Sequence, residues 1–272
     1  LLDIPIALGS GARPAGTGPY ILSGGEDDLS LIPRTGWWKN TPLPAPKILL
    51  TAINQGEDLI ASFASGGTAL VDVDLMGTST LGYSGNYGTW DYTTTDFLYL
   101  GFNTQRSIAQ DPLVRQALSR AIDRDAIVQS DYARHAVSAT LPVHPSNPLY
   151  DEELAQVLAY DSAAASAALT ELHAAGHSVV FIVNAENTAK ANAAARIAEQ
   201  LEAAGIKVSL RKLTFDAYSA ALASGSYDLY LGEVVLTGDF NLTSLLSSTG
   251  SLNYGNRQDG QIAALVSATK AS

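Results

Sequence analysis

The side chains able to activate a nucleophile or hold a metal are few and scattered. Histidine occurs only at His135, His144, His173 and His177. His173 and His177 stand four apart, a spacing that sets two imidazoles on one helix face. Gly176 falls between them, where a helix would end, and they read as surface histidines. Gly82-Tyr83-Ser84-Gly85-Asn86 approaches a nucleophile elbow, but Asn86 stands where its second glycine must be. Gly16-Thr17-Gly18 is a glycine turn without the third glycine or the lysine of a phosphate loop. The acidic pairs Asp27-Asp28 and Glu152-Glu153 lie among turn residues and read as solvated. There is no cysteine, which excludes disulfides, thiolate metal sites and cysteine nucleophiles together. No catalytic set emerges, and no cofactor is called for. Scattered Ser, His and Asp give a hydrolase no support.

Composition narrows the partners. The formal charge is −11 and pI about 4.6. Binding to phosphate backbones needs clustered positive charge, so a nucleic-acid partner is not expected. Apolar residues make up 46% of the chain, enough for a packed core. No apolar run approaches the ~18 residues of a spanning helix. The opening LLDIPIALGS lacks the basic lead of a signal peptide. Trp37, Trp38, Trp90, Tyr87 and Tyr92 are placed either to line an open cleft or, for the first two, to pin a loop to a sheet.

Two kinds of chain must position these groups. Residues 1–100 are rich in Gly, Thr, Leu and Tyr and carry 10 acidic against 4 basic side chains. They read as short strands and turns: Tyr20–Leu22, Leu29–Ile32, Lys47–Ile53 and Val71–Leu75, with a helix over Gln55–Ser65. Phe97–Phe102 is a continuous apolar run, predicted to be a strand buried on both faces. Beyond it the chain turns Ala-rich and helical in period. Asp111-Pro112 pairs an N-cap with proline at the first helical position, and Asp123 and Asp161 cap further helices. The Asp161 helix is predicted to run to Gly176. Val179–Val183, Ile206–Leu213 and Tyr227–Val235 read as strands, with helices from about Thr188 to Ala204 and over Phe215–Ala223. This strand–helix–strand rhythm predicts parallel pairing. The composition shift puts the boundary near residue 100: a strand-rich part over 1–102 and an α/β part over 103–272.

Several segments together resemble one family. Gly16-Thr17-Gly18-Pro19-Tyr20 and Arg34–Pro42 lie early. Tyr99–Thr104 reads YLGFNT, and Asp111–Val128 reads DPLVRQALSRAIDRDAIV. Tyr160–Gly176, Gln200–Val208, Val235–Phe240 and Asn253–Ala268 follow in order. These are similar to the extracellular solute-binding proteins of peptide-type ABC importers, family 5, which include oligopeptide, dipeptide and nickel receptors. The YLGFNT and RQALSRAIDRDAIV pair is the specific part of the match.

The resemblance implies an α/β, periplasmic-binding-protein-like fold of type II, with two lobes, mixed sheets and an incomplete first lobe. It implies a monomeric, non-catalytic receptor that closes on a peptide or small solute and docks on membrane permease subunits. It places the protein outside the cytoplasm, anchored by a lipidated segment upstream. A ligand-sensing domain of a regulatory protein is the alternative. In peptide-binding members an aspartate of the late turn pairs with the peptide ammonium, and Asp239 occupies that place. Asn241 adds a polar contact there, and Leu236 stands where members often carry tryptophan. Asn184 and Asn187, after the neighbouring strand, are expected to flank the same cleft. Dipeptide-type members carry an arginine in that stretch; here it reads Asn184-Ala185-Glu186-Asn187.

Overall fold

The computed structural model describes residues 7–8, 15–25, 28–53, 56–73, 83–148, 150–237, 241–255 and 259–271. The chain divides into two compact units, residues 1–72 with 81–87 and residues 73–80 with 88–272.

The first unit holds short antiparallel pairings. Strands β1 (Ala7–Leu8) and β2 (Ala15–Gly16) pair with each other. Strands β3 (Tyr20–Ser23), β4 (Ser30–Pro33) and β5 (Ile48–Leu49) form a three-stranded sheet, followed by helix α1 (Gly56–Ala64). The apolar run at Lys47–Ile53 therefore yields only two paired residues, opposite Leu31 and Ser30. Val71–Val73 form no strand, and residues 74–75 lie outside the described residues. Phe63 packs edge-on against Tyr83 and Tyr87. Among the described residues of this unit no apolar side chain is buried; Ser30 is. Trp37 and Trp38 meet edge to face with the Lys39 ammonium over both rings, and Trp38 is exposed. We expect this unit to open first, because burial of apolar area is what holds local structure. Limited proteolysis should cut within 16–87 before it cuts within 96–235; first cuts in the second region would contradict this.

The second unit is built on a four-stranded sheet. Strands β6 (Asp96–Phe102), β7 (Ser178–Asn184), β8 (Lys207–Leu213) and β9 (Leu229–Val235) lie in the order β6-β9-β7-β8. β7 runs parallel to β8 and β9, and β6 is antiparallel to β9. The unit also holds helices α2 (Pro112–Arg120), α3 (Arg124–Ser130), α4 (Glu152–Val157), α5 (Ser162–Glu171), α6 (Thr188–Ala203), α7 (Phe215–Ser224), α8 (Thr243–Leu246) and α9 (Gly260–Ala271). The side chains of Asp111, Asp123, Asp151, Asp161, Asn187 and Thr214 each accept a backbone N–H of the turn they start.

Strand alternation gives the sheet two faces. One carries Val179, Phe181, Val183, Leu229 and Leu231, and packs against the alanine-rich side of α6 and against α2 and α5. The other carries Ile182 and Tyr230, and meets Tyr218 and Leu222 of α7 with Tyr227. β6 differs from its expected placement. It is an edge strand with one neighbour, and its residues are mostly half-buried. α5 also stops early: His173 adopts a left-handed φ of 54°, and the Ala174 N–H closes back on the Leu169 carbonyl. The helix thus ends before both His173 and His177.

Glycines in β6 and β9 make room for tyrosine rings across the ladder. Gly101 pairs with Tyr230, and Tyr99 with Gly232. A Cβ at Gly101 would stand 2.1 Å from Tyr230 ring carbons. That ring is held edge-on by Tyr99, Tyr227 and Tyr254, so it cannot swing aside. We expect Gly101→Ala to cost about 1–3 kcal/mol by overpacking. Urea unfolding followed by tyrosine fluorescence measures it; an unchanged midpoint would show that the ring yields freely.

Candidate solute-binding edge

The order β6-β9-β7-β8 creates a reversal between β7 and β9. β7 leads through α6, on one face, to β8 at its side. β8 leads through α7, on the opposite face, across β7 to β9. In open α/β sheets ligands bind outside the carboxyl ends of strands at such a point. Here the ladder between the two strands is short, joining only Phe181 to Leu229 and Ile182 to Tyr230. Past that pair β7 and β9 form a fork.

The fork is occupied from both faces. The Tyr218 hydroxyl, from α7, donates to the Leu231 carbonyl at 2.9 Å, where β7 offers no ladder partner. Burial pushes the Tyr218 phenol well above its ordinary pKa. From α6 comes Lys190, whose Nζ lies 3.5 Å from Glu233 Oε2 and 5.9 Å from the centre of the Tyr218 ring. Burial pulls the Lys190 pKa down, and the Glu233 carboxylate opposes this.

The exits of β7 and β9 carry the residues singled out from the sequence. Asn184 ends β7 and accepts the Glu186 N–H at 3.0 Å. Glu186 accepts the Phe215 N–H at 3.1 Å, tying this exit to the start of α7. Asn187 caps α6 by accepting the Lys190 N–H at 3.0 Å. The carbonyl oxygens of both asparagines therefore shape the chain. On the other side Val235 is 70% exposed, whereas Leu236 is 6% exposed and donates its N–H to the Thr95 carbonyl. Leu236 seats the exit of β9 by packing. Asn241 donates its N–H to Thr237 Oγ1 and accepts the Thr243 N–H at 2.9 Å, turning the chain into α8. Asp239 lies outside the described residues. Among the described residues no group of three or more His, Asp or Glu is arranged to hold a metal ion.

Lys190, Glu233 and Tyr218 were not singled out from the sequence. The signal for the first was its spacing: Lys190 falls on the stripe that Ala193, Ala194, Ile197 and Leu201 bury. Glu233 likewise interrupts the apolar strand LYLGEVV.

The second unit is thus an open α/β sheet with helices on both faces and a strand-order reversal between β7 and β9, the place where such sheets hold ligands. The particular family follows from sequence. Residues 7–256 match the bacterial extracellular solute-binding proteins, family 5 (middle region), and the chain belongs to that family. It is 25% identical over 168 residues to heme-binding protein A of Haemophilus influenzae, covering 59% of this chain and 29% of that one. It superposes on the substrate-binding protein CtaP of Listeria monocytogenes with a TM-score of 0.74 and 19% identity, covering 94% of this chain and 54% of the other. The oligopeptide-binding protein AppA of Bacillus subtilis, solved with a nonapeptide, gives 0.65 and 19%, covering 94% and 55%. The fold is therefore periplasmic-binding-protein-like, and the chain spans about half the length of these solved relatives.

Proposed function

We propose that this chain forms part of the substrate-binding component of an ABC importer. It binds peptides or related small solutes without chemistry at the carboxyl edge of its four-stranded sheet. The observation that carries this is the forked reversal between β7 and β9, in a chain of a solute-binding family. The Asn184 and Asn187 amides stand at the exit of β7 and Asn241 follows the exit of β9; Asp239, between Leu236 and Asn241 in sequence, is proposed to join them. Binding needs only polar groups that converge where strands end, which is what this edge supplies. The reading places the protein outside the cytoplasm as a monomer whose partners are the solute and membrane permease subunits. A charge of −11 argues against nucleic acid.

Asp239 is proposed as the group that pairs with a ligand ammonium. Asp239→Asn should weaken binding of free-amine peptides by about 1.5–3 kcal/mol, the worth of a charge-assisted hydrogen bond, and leave N-acetylated peptides nearly unaffected. Calorimetric titration of both peptide types checks this. Equal losses for both, or none, would remove Asp239 from the site.

A further inference from the structure

We propose that Lys190 reads an anionic centre on the ligand, so that the solutes taken at this edge carry a carboxylate or an equivalent anion. The inference rests on the reading of this edge as the binding site and adds the chemical class of its ligand.

Lys190 is an incompletely served cation. Its side chain is 9% exposed, and its one ionic partner among the described residues stands 3.5 Å away. An ammonium has three donors and loses strong hydration on burial. Its other close neighbour, the face of the Tyr218 ring, attracts a cation but accepts no conventional hydrogen bond. Glu233, by contrast, is 45% exposed and can turn to water at small cost. The buried member of this pair therefore holds an exchangeable counter-ion.

The same helix shows what a structural pair looks like here. Arg196 grips Asp131 through two contacts, at 2.6 and 3.3 Å, and the Asp131 side chain is 7% exposed. That pair joins α6 to the end of α3 with good geometry and a buried acid. Lys190–Glu233 has the opposite properties: one long contact, and an acid facing water. Its place differs too. Lys190 follows Asn187 by three residues and Glu233 precedes Leu236 by three, so the pair stands between the two exits. A ligand carboxylate arriving there would replace Glu233 and give the ammonium a closer partner.

The test follows the Lys190 side-chain NH3 signal by 15N NMR in the 272-residue chain, assigned by its loss in Lys190→Met. The probes are trialanine, trialanine amide and propionate. Trialanine and propionate should shift the signal, and the amide should not. Lys190→Met should weaken trialanine about 10- to 100-fold and erase its advantage over the amide. It should leave the melting temperature equal or higher, because a buried charge is removed and the remaining acid is hydrated. Glu233→Gln should tighten trialanine, since the competitor is gone. If the peptides bind but the signal stays still, or Lys190→Met keeps the preference for trialanine, the anion role is overturned and solute binding stands. If propionate shifts the signal while neither peptide binds, the anion role stands and the peptide reading falls. If no probe shifts the signal, Lys190 is a structural cation and the inference is wrong.

Discussion

Phe181→Ala is expected to destabilise the second unit by about 3–5 kcal/mol, the range for deleting a fully buried aromatic side chain. Phe181 has no exposed surface and sits at the centre of the larger core. It pairs with Leu210 on one side and Leu229 on the other, so its ring closes the seam between β8 and β9 where α6 crosses. The cavity cannot refill easily, since the facing helix offers alanines at 193, 194 and 198. Native-state hydrogen exchange at the Ile182 and Val183 amides reads the loss within this unit alone. A change below about 1 kcal/mol would mean that the sheet and α6 collapse onto the gap.

Asn103→Ala should cost about 2–4 kcal/mol, because it removes three hydrogen bonds at once and takes the side-chain donor from the buried Tyr227 carbonyl. The Asn103 side chain donates to the Gly225 and Tyr227 carbonyls and accepts the Gln105 N–H. Next to it the Asp228 carboxylate accepts the Val180 N–H at 2.7 Å and faces Arg106 Nε at 3.6 Å. Thr104 binds the Gly255 carbonyl through both its N–H and its hydroxyl. These residues form a knot at the end of β6 and the start of β9, the edge opposite the fork. Asn103→Asp should also destabilise, since it replaces two donors with acceptors facing carbonyls. Tolerance of both variants would show that water can replace the side chain.

This knot gives YLGFNT a physical meaning that its letters do not carry. As sequence, Asn103 and Thr104 are polar residues after a strand, which is also how a binding residue reads. Their partners lie more than 100 residues away, at Gly225, Tyr227 and Gly255, and no local pattern announces them. What local chemistry controls was legible. Asp111, Asp123 and Asp161 cap the helices expected of them, and Gly205 follows α6 with φ of 100°. Parallel pairing followed from the strand–helix–strand rhythm. Strand neighbours were not legible. The run at Phe97–Phe102 looked central because it is apolar throughout, yet apolarity on both faces also suits an edge strand packed between a helix layer and a tyrosine cluster. Lys190 was hidden for a related reason: one lysine in an alanine-rich helix reads as its solvated side until the helix is docked.

Solutes are proposed to bind where β7 and β9 part. Backbone amide shifts of the chain, recorded as trialanine is added, test it most directly. The largest shifts are expected at 184–187, 213–218 and 233–241, with residues 101–106 and 225–228 at the opposite edge unmoved. Shifts gathered at the Asn103–Asp228 edge, or none outside the noise at saturating peptide, would contradict it.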